Sequence, residues 1–335
     1  MTSSERLGVQ RAKTVYAPDE RVACFEVDVT TRDRGTVVLS GTVQTDRVRR
    51  CLLETVDRTS ARDIHDNLSV LEDHAEPRTT DRRVLPVFGA PDDDAEQVTQ
   101  LLYGAAVTAY DERDRWHRVR TPGNYLGWVD ATALTDVGGT AQDEWVADAV
   151  ITAVPATPVE TSDTSMRTVP AGTDCRLESR DDDRVTVSFR TGARMTLPAS
   201  AVGEMTPVGT GDDVVAVARQ FLETPYEWGG LTIEGIDCSG LVWVSYATIG
   251  LSLPRDADQQ ETMGVDVDRA DLAPGDLLFF PGHVAISLGG TEYIHAYGGD
   301  DEVTINSLDP DSDRYLKSLD DSMTGARRLL SEGHP

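Results

Sequence analysis

Asp237-Cys238-Ser239-Gly240-Leu241-Val242 is the stretch on which the fold turns, and it reads as the start of a helix. Asp237 is a good N-cap, and Leu241, Val244, Tyr246 and Ile249 recur at roughly helical spacing until Gly250 stops the run. Cys238 therefore falls in the first turn, where unpaired N–H groups and the helix dipole favour thiolate over thiol. On that reasoning alone its pKa falls, and the residue is alkylated well below pH 8.

Downstream, Asp276-Leu277-Leu278-Phe279-Phe280 reads as an apolar strand opened by Ala273-Pro274-Gly275. His283-Val284-Ala285-Ile286-Ser287-Leu288 reads as a second, closed by Gly289-Gly290, and Tyr293-Ile294-His295-Ala296 as a third. Two strands joined by a Gly-Gly turn predict an antiparallel hairpin with His283 and His295 near one end, their shared face depending on register. A cysteine backed by a histidine that a second polar group orients is the general arrangement for acyl transfer. The blander alternative is that a lone cysteine is a small buried hydrophobe, and Cys24, Cys51 and Cys175 are read that way.

From about Asp212 to Leu330 the chain resembles the NlpC/p60 family of papain-like cysteine peptidases. The resemblance rests on Pro225-Tyr226-Glu227-Trp228-Gly229-Gly230, the cysteine run, Leu253-Pro254-Arg255 with Gln259-Gln260, Pro274-Gly275-Asp276-Leu277, His283-Val284-Ala285-Ile286 and Ile294-His295-Ala296, in that order. It implies that Cys238 is the nucleophile, His283 the base and His295 the orienter. It further implies that Tyr226 lies beside the nucleophile and that Asp237 and Ser239 bind substrate. Ala257 departs from the pattern, since related enzymes often carry a small hydroxyl residue near the substrate there.

The chain has 335 residues, which predicts two to four domains. Acidic residues number 58 against 31 basic ones, giving a formal net charge of −27, and Lys13 and Lys317 are the only lysines. Runs such as Asp92-Asp93-Asp94 and Asp181-Asp182-Asp183 are spread along the chain, so the surplus reads as a whole-protein acidic shell of the kind salt-loving organisms use. Nucleic acid and anionic membranes are poor partners for such a surface. No apolar stretch approaches the roughly 18 residues of a membrane span, and the start Met1-Thr2-Ser3-Ser4-Glu5-Arg6 lacks the form of a signal peptide. Four cysteines are too few for a disulfide framework, and a cytoplasmic location is expected. With no C-x-x-C or H-x-x-x-H pair, neither metal nor other cofactor is expected.

Upstream, Val84–Phe88, Gln97–Leu102, Ala106–Tyr110, Trp116–Val119 and Tyr125–Val129 read as short strands separated by turns, which predicts a small barrel. Thr99–Gly104, Trp116 and Gly127-Trp128-Val129 resemble bacterial SH3-like domains, and the pattern recurs more faintly from Val146 to Val208. In the first eighty residues, Cys24–Val29 and Thr36–Val43 read as strands around Arg34-Gly35, Asp46–Val56 as a helix and Ile64–Leu71 as a further strand; this order loosely resembles a BON-like module. The stretch Asp73–Arg83 reads as a linker. The expected fold is thus multi-domain α+β: an N-terminal α/β module (1–78), an SH3-like barrel (82–140), a second diverged barrel (145–208) and a papain-like NlpC-type α+β domain (210–335).

In multi-domain peptidases of this kind the first barrel packs against the catalytic cleft and narrows it. The resemblance then implies an enzyme that takes short peptides with a free amino end and cuts between γ-D-glutamate and a diamino acid. A carboxylate at the blocked end pairs with the substrate's ammonium group; Tyr125 and Glu96 either line that end or serve only in strand packing and a solvated loop respectively. The alternatives are an amidase or acyltransferase on the same nucleophile, or a ligand-binding protein with a vestigial centre. The sequence does not set an oligomeric state.

Overall fold

The computed structural model describes residues 3–32, 35–137, 145–162, 166–205 and 209–330. Arg34 and the ends of the expected units at 138–140, 206–208 and 331–335 lie outside the described residues.

In the N-terminal module, strand β1 (Phe25–Thr31) pairs antiparallel with β2 (Val37–Val43), which pairs in parallel with β3 (Ile64–Val70). Parallel neighbours need a crossover, and helix α2 (Asp46–Asp57) supplies it. Thr45 caps α2 by accepting from the Val48 N–H at 3.1 Å, and Val48, Leu52 and Val56 bury one helical face. A preceding helix, α1 (Ser3–Tyr16), packs on α2 and was not expected. Its apolar residues do not form a single stripe, since Leu7 and Val15 stay exposed while Val9 and Ala12 are buried.

The presumed linker contains a strand. β4 (Glu76–Thr79) joins a seven-stranded sheet with β5 (Val84–Phe88), β6 (Gln97–Leu102), β7 (Val107–Arg113), β8 (Trp116–Arg120), β9 (Leu126–Asp130) and β10 (Thr135–Asp136), in the order β10-β4-β7-β8-β9-β5-β6. Pro77 argues against a strand at sequence level, yet β10 reaches only Arg78 and Thr79, so the proline sits where one edge is free. Val87, Leu101, Val107, Ala109, Val119 and Val129 form the core of this unit. Cys24 packs with Leu71, Tyr110 and Leu126, so it fills the joint between module and sheet.

A six-stranded sheet follows, built from β11 (Ala149–Ile151), β12 (Glu160–Thr161), β13 (Asp174–Arg180), β14 (Arg184–Ser188), β15 (Arg194–Pro198) and β16 (Val202–Glu204), in the order β12-β15-β14-β13-β11-β16. Cys175 is fully buried in its core beside Val187 and Met195.

The last unit is mixed α+β. Helix α3 (Gly211–Ala218) opens with a Thr210–Asp213 capping box. After the short pair β17 (Leu231–Thr232) and β18 (Gly235–Ile236) comes α4 (Cys238–Ala247), apolar on all sides and therefore buried, then α5 (Ala257–Gln260). The sheet combines β19 (Val265–Asp266), β20 (Pro274–Phe280), β21 (His283–Gly289), β22 (Glu292–Tyr297), β23 (Glu302–Ser307) and β24 (Gly325–Arg328), in the order β19-β24-β20-β21-β22-β23. Helix α6 (Lys317–Asp320) precedes β24. Alternation along β20 sends Leu277 and Phe279 to the α4 side and Leu278 and Phe280 to a second core with Tyr293 and Leu308, so both faces are covered.

Candidate active site

Two local structures bring the chemistry together. Asp237 has extended backbone and caps α4, its Oδ1 accepting from the Gly240 N–H at 2.6 Å. This places Cys238 at the first helical position, and its backbone N–H donates to no acceptor among the described residues. Gly240 is required here, because a Cβ would lie 2.3 Å from the Gly230 carbonyl oxygen.

The second is the β21–β22 hairpin. Gly289 and Gly290 turn the chain with φ of +93° and +63°, values open to glycine. Ile286 pairs with Ile294, so His283 and His295 are both an odd number of residues from that pair and share one face. His283 Nε2 lies 2.8 Å from His295 Nδ1, and His295 Nε2 lies 2.8 Å from Asn306 Oδ1 on β23. Asn306 Nδ2 donates to the Arg314 carbonyl at 3.2 Å, which fixes Oδ1 as the acceptor facing His295. Neutral His295 then carries its proton on Nε2 and accepts on Nδ1 from His283 Nε2–H. His283 Nδ1 is left as the basic nitrogen. The Val284 N–H is near enough to the Cys238 thiol to favour its charged form, which places Sγ near the residue that follows His283. Tyr297 stacks on His295 at 4.9 Å and holds its plane.

The resting state differs from the expectation of a thiolate. Burial first, and the Asp237 carboxylate second, push the Cys238 thiol up to about 12, and the N–H groups of Val284 and Ser239 and the Arg255 guanidinium only partly oppose them. Burial likewise holds His283 down to about 3 and His295 down to about 4. The helix terminus is present, but Cys238 is only 6 % exposed and desolvation outweighs the dipole. The pair rests as thiol and neutral imidazole.

Asp237 and Ser239 are engaged with the protein itself. Arg255, buried to 2 % exposure, donates to Asp237 Oδ1 and Oδ2 at 2.9 and 2.7 Å, to Ser239 Oγ at 2.8 Å, to the Gly230 carbonyl at 3.3 Å and to Thr99 Oγ1 at 2.9 Å. Asp237 Oδ2 also accepts from the Gly229 N–H at 2.8 Å. These two side chains thus frame the helix start, and Thr99 ties that frame to the first sheet.

Both residues nevertheless line a cavity of about 320 Å³ with Cys238, and Glu96 and Tyr125 line it too, with Val98, Trp228, Asp256, Ala257 and Arg21. The upstream sheet thus contributes to the same space as Cys238. Tyr226 is half-buried and packs against the core cluster that includes Cys238, and burial first and Cys238 second push its phenol up to about 12. Burial keeps the Tyr125 phenol a neutral hydroxyl. Sequence reasoning missed Asn306, Arg21 and Asp256 and gave Arg255 no role. An asparagine inside a strand is disfavoured, and that was the one local signal for Asn306. No group of three or more His, Cys, Asp or Glu side chains among the described residues could hold a metal ion.

The NlpC/P60 family matches residues 223–318, and the bacterial dipeptidyl-peptidase SH3 domain matches residues 87–134. The chain is 31% identical over 266 residues to dipeptidyl-peptidase 6 of Lysinibacillus sphaericus, covering 73% of this chain and 96% of that protein. It is 29% identical over 216 residues to the γ-D-glutamyl-L-lysine dipeptidyl-peptidase of Bacillus subtilis, covering 59% and 71% of the two. A crystal structure of an NlpC/P60 family protein from Bacillus cereus superposes with a TM-score of 0.65 at 23% identity, over 76% of this chain and all of that one, and so shares the fold. A helix that presents a cysteine, a hairpin that carries two bonded histidines and an upstream SH3 domain that reaches the cavity of that cysteine are together accounted for: the chain belongs to the NlpC/P60 family and is a cysteine peptidase.

Proposed function

We propose that this peptidase hydrolyses the bond between γ-D-glutamate and a diamino acid in short murein-type peptides with a free amino terminus, using Cys238, His283 and His295. The observation that carries the reading is the shared cavity, in which Cys238 meets Glu96 and Tyr125 of the upstream sheet. Its volume of about 320 Å³ is near the lower end of ligand pockets, so it suits a short peptide end better than a polymer strand. The name of the B. subtilis relative supports the same substrate class.

Cys238 Sγ attacks the γ-carbonyl carbon while its proton passes to His283 Nδ1. Because burial keeps both groups neutral at rest, proton transfer accompanies attack. The free Cys238 N–H donates to the oxyanion. His283 then gives the proton to the leaving amine, and a water deprotonated by the same nitrogen hydrolyses the thioester and restores the thiol. His295 keeps the imidazole in the required tautomer throughout.

The test is hydrolysis of L-Ala-γ-D-Glu-diaminopimelate and of its N-acetylated form in high salt, comparing the intact protein with Cys238→Ala. Cleavage of the free-amine peptide alone, lost in the variant, is expected; cleavage of neither peptide sinks the substrate assignment.

A further inference from the structure

Arg21 comes from the loop between α1 and β1, far from the peptidase unit in sequence, yet it lines the catalytic cavity. The loop is pinned to the first sheet on both sides of the residue: Arg21 O accepts from the Leu126 N–H at 2.6 Å, and Arg120 donates to Val22 O at 3.2 Å. All five guanidinium N–H groups are used. Nε and Nη2 each lie 2.9 Å from Asp19, Nη1 and Nη2 grip Asp258 at 2.8 and 2.7 Å, and Nη1 reaches Asp256 Oδ2 at 2.8 Å. Arg21 therefore has no donor left for a substrate, and its action has to run through its partners.

Asp256 is the informative partner. It occupies the N-cap position of α5, where an aspartate normally accepts from the helix N–H groups, but its side chain makes no cap bond. It is drawn to Arg21 instead, and its Oδ1 has no partner among the described residues. Glu96, which lines the same cavity, makes no ion pair among the described residues, whereas Asp256 is paired with Arg21. Burial pushes the Asp256 carboxyl upward, while Arg255 and Arg21 favour its charged form.

We propose that Arg21 is a positioning residue for the amino end of the substrate: it holds Asp256 in the catalytic cavity with one oxygen free to accept from the peptide's ammonium group. The N-terminal module is then a working part of the specificity site. This deepens, and rests on, the free-amine reading above.

The experiment measures kcat and KM for L-Ala-γ-D-Glu-diaminopimelate and its N-acetylated form with the full chain, Arg21→Met, Asp256→Asn and the double variant. Each single variant should raise KM for the free-amine peptide about tenfold, the worth of one charge-assisted hydrogen bond, with kcat within about twofold. The preference over the acetylated peptide should shrink in step, and the double variant should be no worse than either single one. Asp256→Asn leaves the docking of the loop intact, so it stays informative if Arg21→Met loosens the module. An unchanged KM in Asp256→Asn, or single effects that multiply in the double variant, overturns the proposal while the free-amine reading stands. Failure of the unmodified chain to cleave either peptide overturns both.

Discussion

Asn306 Oδ1 lies 2.8 Å from His295 Nε2, so the histidine proposed to orient His283 is itself held by an amide whose own N–H₂ is tied to the Arg314 carbonyl. The chain of bonds from Asn306 through His295 to His283 sets both tautomers from one end. Asn306→Leu removes the acceptor and should lower kcat by about 10- to 100-fold with KM little changed, since the basic nitrogen is then not held toward the thiol. Asn306→Asp should keep the geometry but raise both imidazole pKa values, moving the acid limb of the pH profile upward. Steady-state kinetics with a pH series distinguishes these outcomes from simple loss of packing.

The depressed imidazoles fix the acid side of that profile. The proposed mechanism needs His283 neutral, and burial holds it down to about 3 and His295 to about 4. Activity should therefore persist below pH 6, where an ordinary histidine near 6.5 is protonated, and fall only as pH approaches about 4. Stability follows the same sign. The unfolded chain takes up these protons below about 6.5, so the stabilisation present above that pH is lost as pH falls from about 6.5 toward 3. At the other end the thiol lies at about 12, and iodoacetamide alkylation of Cys238 should keep rising through the alkaline range. An alkylation profile that levels off below pH 7 would show that the helix terminus wins after all.

Arg255 holds the start of α4 against the upstream sheet. Replacing it with Met strands the Asp237 carboxylate, which is only 4 % exposed and has Arg255 as its one cationic partner among the described residues. The expected cost is about 3–5 kcal/mol, read from the urea transition of the peptidase unit. Asp237→Asn added to that variant should recover part of the loss, because no buried charge is then left unpaired. An additive result would show that packing, not charge, accounts for the damage.

Net charge makes a separate prediction. A chain of formal charge −27 repels itself, and raising salt from 0.1 to 1 M shortens the screening length from about 10 Å to about 3 Å. The thermal midpoint should rise by several degrees over that range in KCl. A midpoint that stays level or falls would mean that the ion pairs of the fold, which salt also screens, matter more than the overall surplus.

What was legible in the sequence was what local pattern encodes. The N-cap and apolar spacing after Asp237 place Cys238 on a helix, and the Gly289-Gly290 turn places His283 and His295 on one hairpin. What escaped depends on long-range partners. Arg21 meets Asp256 across 235 residues, and nothing in the loop around it marks that destination. β4 was hidden by Pro77, whose position on a partly free edge is set by the strand pairing. The thiol was misjudged for the same reason, since dipole and cap are local whereas the burial that overrides them is supplied by the assembled cavity.

Ala257 allows a prediction in the direction of gain. It lines the cavity of Cys238 with Ser239 and Asp256, and its side chain offers no hydrogen bond where the family resemblance implies a small hydroxyl. Ser239 cannot readily make up the difference, because its own hydroxyl donates to Asp237 and accepts from Arg255. Ala257→Ser adds one polar atom at the first position of α5, a site where serine is well tolerated. A neutral hydrogen bond contributes about 0.5–1.5 kcal/mol, so KM for the free-amine peptide should fall by about 2- to 10-fold with kcat unchanged. A KM that does not move would mean that the substrate passes this wall without a polar group in reach, and the acyl side of the peptide would then have to be oriented from the Glu96 and Tyr125 end alone.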